Sequence, residues 1–259
     1  MEQTESANVV RPRSVLVADD DLYLRIEHDP ANVALLEDVN AMIVPYSGRA
    51  ELNARAVASV HSLLQSSGQL VAGALLIRNP YEPESYEMSE DAIESFSIAK
   101  YHAFANVSRM LGAKQVRFLE AKAESQDESW QAKIAAILPA GSGDAEVVRD
   151  VAKKLDDRLS GHLTFEGGEP DPEAAREYLR RSYLTHDPQL RSLVEMRDGR
   201  NLLTRYEFTL SGTRESAANF SSALSIANAG PIKAVDIGVT FAKTVKAIRE
   251  VEFRTEIEF

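Results

Sequence analysis

The clearest pattern of apolar and polar positions lies in the last 25 residues, Val235 to Phe259. Every second residue reads Val, Ile, Val, Phe, Lys, Val, Ala, Arg, Val, Phe, Thr, Ile, Phe, and the residues between are mostly polar or charged. Period-2 alternation places one face of a β-strand in a core or interface and the other in solvent. A single strand of that length would span roughly 80 Å at about 3.3 Å per residue. The row breaks at Lys243 and Arg249, and no Gly, Pro, Asn or Asp follows Gly238. The pattern therefore predicts a long bent strand or a hairpin, with a helical middle through Phe241, Val245 and Ile248 as the alternative.

Elsewhere, Ser14–Ala18 reads as a buried strand. Asp19-Asp20-Asp21 reads as a turn, and LYLRIEHD as a second strand with Leu22, Leu24 and Ile26 on one face. Asp precedes Pro at Asp29-Pro30, Asp171-Pro172 and Asp187-Pro188. An Asp at the N-cap accepts from unpaired N–H groups, and Pro fits the first helical position, so each pair predicts a helix start. A helix is expected from Arg49 to Ser66 and a doubly buried strand over Leu70–Ile77. A loop should follow across NPYEPESYEMSE, then a helix capped by Ser89 with Ile93, Phe96, Ala103, Val107 and Met110 on its apolar stripe. Gln115–Lys122 predicts a strand, residues 128–138 a helix carrying Trp130, and Asp144–Leu159 another helix. A short strand at His162, helices on either side of His186, a strand over 201–210 and a helix over 215–229 complete the reading. The fold class is α+β, a mixed sheet with flanking helices. Residues 1–13 form a leader, and PAGSGD (139–144) marks a soft boundary between residues 14–140 and 144–259, which form either two halves or one domain.

Composition narrows the function. The formal net charge is -11, and no Lys/Arg cluster interrupts it, so nucleic-acid binding is not expected. Cysteine is absent, which removes disulfides, zinc-thiolate sites and thiol catalysis. The N-terminal stretch lacks a basic and apolar signal pattern, and the longest apolar run has eight residues, too few for a membrane span. The expected location is the cytoplasm, and no cofactor is expected.

Four constellations carry candidate chemistry. Glu120-Ala121-Lys122 closes a strand as E-x-K, the arrangement in which nucleases of the PD-(D/E)xK type bind a metal and steer water. Here a helix, not a strand bearing Asp, precedes it. His162 and Glu166, four apart, share a face if the strand continues, the best local His/acid pair for a metal. Between Asn79 and Ala99 lie Glu82, Glu84, Glu87, Glu90, Asp91 and Glu94 without a Lys or Arg, with Tyr81 and Tyr86 interleaved, a candidate partner-binding loop. Val251, Phe253, Ile257 and Phe259 on the C-terminal strand are candidates for assembly with a second copy.

These readings favour a non-catalytic protein that self-assembles or binds another protein, in character a bacterial accessory or defence-system component. Two alternatives stand beside it: a metal-dependent hydrolase or nuclease built on Glu120 and Lys122, and a protein whose C-terminal stretch perturbs membranes.

Overall fold

A computed structural model describes residues 11–29, 38–47, 55–125, 144–182, 184–199, 202–227, 229, 232, 245 and 248–259. The chain divides into two compact units: residues 1–78 with 218–239, and residues 79–217 with 240–259. Among the described residues there are seven helices, and the fold is α+β.

In the first unit, β1 (Ser14–Ala18) is an inner strand with a partner on each side, and all five of its residues are buried. It pairs in parallel with β2 (Ala41–Pro45) and antiparallel with β3 (Leu75–Arg78), giving a mixed sheet. A strand covered on both faces reads as a continuous apolar run, as SVLVA does. Helix α1 (Asp20–His28) supplies Leu22 and Ile26 to the core, and α2 (Arg55–Ser66) supplies Val60 and Leu64. From α7 (Ala217–Ala227) come Phe220, Ala223 and Ile226, and Ser222 Oγ lies 2.7 Å from Ser14 Oγ.

Two expectations are corrected in this unit. LYLRIEHD is helix, not strand, and β1 forms no hairpin with it. Asp19 caps the helix by accepting from Leu22 N at 2.7 Å. Leu22 and Ile26 stand one turn apart and are buried, whereas Leu24 is 47% exposed. The apolar residues at 22, 24 and 26 fit both periods, and the cap decides between them. Leu70–Ile77 is a strand only from Leu75. Gly73, at φ +82°, turns the chain ahead of it, and Val71 is exposed. The helix expected from Pro30, the start of the helix expected at Arg49, the helix with Trp130 and the linker residues 139–143 all lie outside the described residues.

The second unit contains β4 (Tyr86–Met88), a short strand inside the segment expected to be loop. Its main sheet is antiparallel in the order β6-β5-β8-β7: β6 (His162–Thr164), β5 (Gln115–Ser125), β8 (Ile248–Glu258) and β7 (Arg205–Ser211). The C-terminal alternation is thus one continuous strand over the eleven residues Ile248–Glu258, held on both edges. Most of Val235–Ala247 lies outside the described residues. Helix α3 (Ala92–Met110) packs on the inner face, with Tyr101 edge-on to Phe118 at 6.0 Å and Phe104 edge-on to Phe208 at 5.3 Å. Ser89 does not cap α3: Asp91 occupies the cap, and the Ser89 hydroxyl donates to Glu90. Helix α4 (Asp144–Leu159) runs beside β5, where Asp156 accepts from Ala121 N at 2.7 Å.

Helices α5 (Pro172–Arg181) and α6 (Pro188–Met196) begin at the expected Asp-Pro pairs. Asp171 accepts from Ala174 N at 2.8 Å, and Asp187 accepts from Gln189 N and Leu190 N at 2.9 and 3.0 Å. The Gln189 side chain then reaches the edge of β7, donating to Thr209 O at 2.5 Å and accepting from Ser211 N at 3.3 Å. A side-chain amide there occupies edge groups that would otherwise invite another strand.

Gly112 ends α3 at φ +85°, and a Cβ on it would lie 2.3 Å from the backbone oxygen of Gly168. Gly112→Ala combines left-handed strain with a backbone collision, so we expect a loss of about 2–4 kcal/mol. Gly68→Ala is the control, because Gly68 also has positive φ but a Cβ there meets open space. Urea unfolding of both variants checks this; equal losses would show that strain alone matters at Gly112.

Candidate functional site

Two polar arrangements in the second unit stand out, one buried and one solvated. The buried one centres on Lys100, whose side chain is 0% exposed on the inward side of α3. Its ammonium hydrogen-bonds Asp187 and lies 3.2 Å from Glu215 Oε1. The Tyr81 ring sits 5.4 Å away, and the Tyr81 hydroxyl donates to Glu215 Oε2 at 2.7 Å. Four segments far apart in sequence therefore meet on one cation. Burial pushes the Lys100 amine below the usual lysine value, while Glu215 pulls it back up. Burial, reinforced by Glu215, holds the Tyr81 phenol well above the usual tyrosine value. Tyr101, one residue after Lys100, is pushed by burial to about 12.

Every group in this cluster is engaged by another of its members, and Asp187 also caps α6. Such an arrangement locks segments together; it presents neither an exposed nucleophile nor an open acid–base pair.

The solvated arrangement covers the outer face of the main sheet. On β8, Arg254 donates to Glu207 on β7 at 2.9 Å and to Glu120 on β5 at 2.6 Å. Two positions on, Glu256 accepts from Arg205 on β7 at 2.7 Å, and its other oxygen lies 3.5 Å from Arg117 on β5. Two rows result: Glu120–Arg254–Glu207 and Arg117–Glu256–Arg205. They have inverse charge order, minus-plus-minus against plus-minus-plus. Glu256 and Glu207 raise the guanidinium pKa of Arg205 and Arg254 respectively, chiefly through these hydrogen bonds.

The E-x-K pair belongs to this face. Arg254 first and Lys122 second hold the Glu120 carboxylate below its usual range, and Lys122 Nζ lies 3.1 Å from it. Its neighbours are cations, where a metal-binding carboxylate would have other oxygen ligands around it. A register shift between Phe118 and Glu120 turns Glu120 toward Arg254, a feature without a signature in the sequence.

The remaining nominated residues fall apart spatially. His162 is exposed on β6, which ends at Thr164, so the strand face it would share with Glu166 does not extend that far. Among the described residues no group of three His, Cys, Asp or Glu side chains converges as a metal site. The segment proposed as a contact loop is split. Tyr81, Tyr86 and Glu94 are buried, Glu94 beside Arg158 Nε at 2.6 Å, while Glu82, Glu84, Glu90 and Asp91 are exposed. Glu87 is half-buried, and burial raises its carboxyl.

Val251, Phe253 and Ile257 are each 0% exposed within their own chain. As the core of the second unit they offer no surface to a second copy, which corrects the assembly expectation at these positions. Phe259 lies under the guanidinium of Arg197, 4.1 Å from its ring centre. Among the described residues no helix is long and apolar enough to cross a membrane. No protein-family model, no curated protein and no solved structure matches this chain.

Proposed function

We propose that the protein works without catalysis, by self-association through the outer face of the sheet β6-β5-β8-β7. The carrying observation is the pair of charge-inverse rows on that face. A two-fold axis parallel to the rows and midway between them would lay each minus-plus-minus row over the plus-minus-plus row of a second copy. Glu120 would then meet the copy's Arg117, Arg254 its Glu256, and Glu207 its Arg205. Such a self-complementary patch is what a two-fold interface requires. Because the side chains are already clamped, docking orders little that is mobile.

The face is small. Strands β5 and β8, eleven residues each, and β7, seven, offer on the order of 500 Å² per copy, below the ~800 Å² of a standard interface. Exposed ion pairs are screened by solvent and contribute little each. The association is therefore expected to be weak and sensitive to salt.

Light scattering on a sizing column tests this. At low ionic strength and high protein concentration the mass should approach twice 28.5 kDa. It should return to the monomer value in about 1 M salt, where screening acts over only ~3 Å. Arg254→Glu, which makes one row wholly negative, should be monomeric throughout. A monomer at low salt and high concentration, or a dimer indifferent to salt and to Arg254→Glu, overturns the proposal.

A further inference from the structure

Helices α5 and α6 enclose a groove of about 370 Å³ that has no part in the ion lattice or the Lys100 cluster. Its floor is apolar: Leu179 and Val194 are 3% and 2% exposed. Three arginines line it, Arg176 and Arg180 from α5 and Arg191 from α6. An apolar cavity with a few polar groups at its mouth is the usual form of a small-molecule site. About 370 Å³ is within the range of sites that take a small organic molecule.

The arginines are not equally committed. Arg176 is held at both ends, by Glu173 at 2.7 Å and by Asp198. Arg180 is engaged by Glu177 through Nη2 alone, at 2.8 Å. Arg191 Nε stands 3.8 Å from Glu195, beyond hydrogen-bond distance. A guanidinium carries five N–H donors, so Arg180 and Arg191 keep most of theirs. Glu195 also lines the groove and opposes an anion, but it is drawn toward Arg191. The groove thus couples an apolar floor to two arginines with donors to spare.

We infer that this groove binds a small amphipathic organic anion, a carboxylate on a short unbranched apolar body. The body covers Leu179 and Val194, and the carboxylate accepts from Arg180 and Arg191 at the mouth. Planar guanidinium groups suit a carboxylate because two parallel N–H bonds match its two oxygens.

Isothermal titration of the intact protein with octanoate, below its micelle-forming concentration, tests this, with octan-1-ol as the uncharged probe of the same body. Octanoate should bind at one site per chain, about tenfold or more tighter than octan-1-ol, the factor that one to two charge-assisted bonds supply. The double variant Arg180→Gln/Arg191→Gln alters exposed side chains only. It should weaken octanoate by about tenfold and leave octan-1-ol unchanged. Val194→Trp fills the cavity and should abolish binding of both, with circular dichroism confirming that it folds. Equal affinities for the two probes, unaltered octanoate binding in the double variant, or no saturable octanoate binding overturns the inference. Its outcome is independent of the dimer measurement, since the two surfaces share no residue.

Discussion

Replacing Lys100 by Met should lower the folding stability by about 3–5 kcal/mol, the cost of leaving a buried charge without its partner. Met fills nearly the same space, so the loss is electrostatic and not a cavity effect. Asp187, whose side chain is 1% exposed, and Glu215, at 19%, would then face each other across an apolar thioether. The double variant Lys100→Met/Asp187→Asn should recover much of the loss. Asn carries no charge to strand and still caps α6 by accepting from Gln189 N and Leu190 N. Urea unfolding measures both variants, and a coupling of at least about 1 kcal/mol between the two positions is expected. If Lys100→Met costs less than about 1 kcal/mol, water reaches the cluster and the account of it as a sealed lock is wrong.

Phe253→Ala should cost about 3–5 kcal/mol, the range for emptying an aromatic site in a core. Phe253 is wholly buried on β8, with the Phe118 ring centre 6.4 Å away and Gly212 pressed against its edge, where a Cβ would come within 2.8 Å of Cζ. The variant also separates two accounts of the alternating strand. A core residue lowers the unfolding midpoint at every protein concentration, whereas an interface residue lowers the dimer fraction and leaves the isolated chain stable. The first outcome is expected. A stable monomer from Phe253→Ala would place this residue at an interface and return Val251 and Ile257 to that role with it.

Local signals in the chain were reliable where one element could satisfy them. Asp171-Pro172 and Asp187-Pro188 start helices because the cap needs only the carboxylate and the next three residues. The alternation of Val251, Phe253, Thr255 and Ile257 announces a strand with one dry face. LYLRIEHD was misleading because its apolar spacing suits two periods, and the choice rested on a single cap at Asp19. Leu70–Ile77 looked like a full strand because apolarity does not register the turn at Gly73.

The polar sites were legible only in pieces. Glu120 and Lys122 were visible as a pair, but the cation that governs Glu120 is Arg254, 134 positions away. Asp187 is a cap, as the Asp-Pro pair predicts, while its second role depends on Lys100, 87 positions away on another helix. Tyr81 and Glu94 looked like surface residues in an acidic stretch, and packing buried both. Caps and periodicity act over a few residues, so the α+β class, the helix starts at Asp171 and Asp187 and the dry face of β8 were legible in the chain alone. Strand order, the bulge at Glu120, the burial of Lys100 and the charge-inverse rows were decided by the tertiary structure alone. Each depends on which distant segments become neighbours, and a charge has no assigned partner until the chain has folded around it.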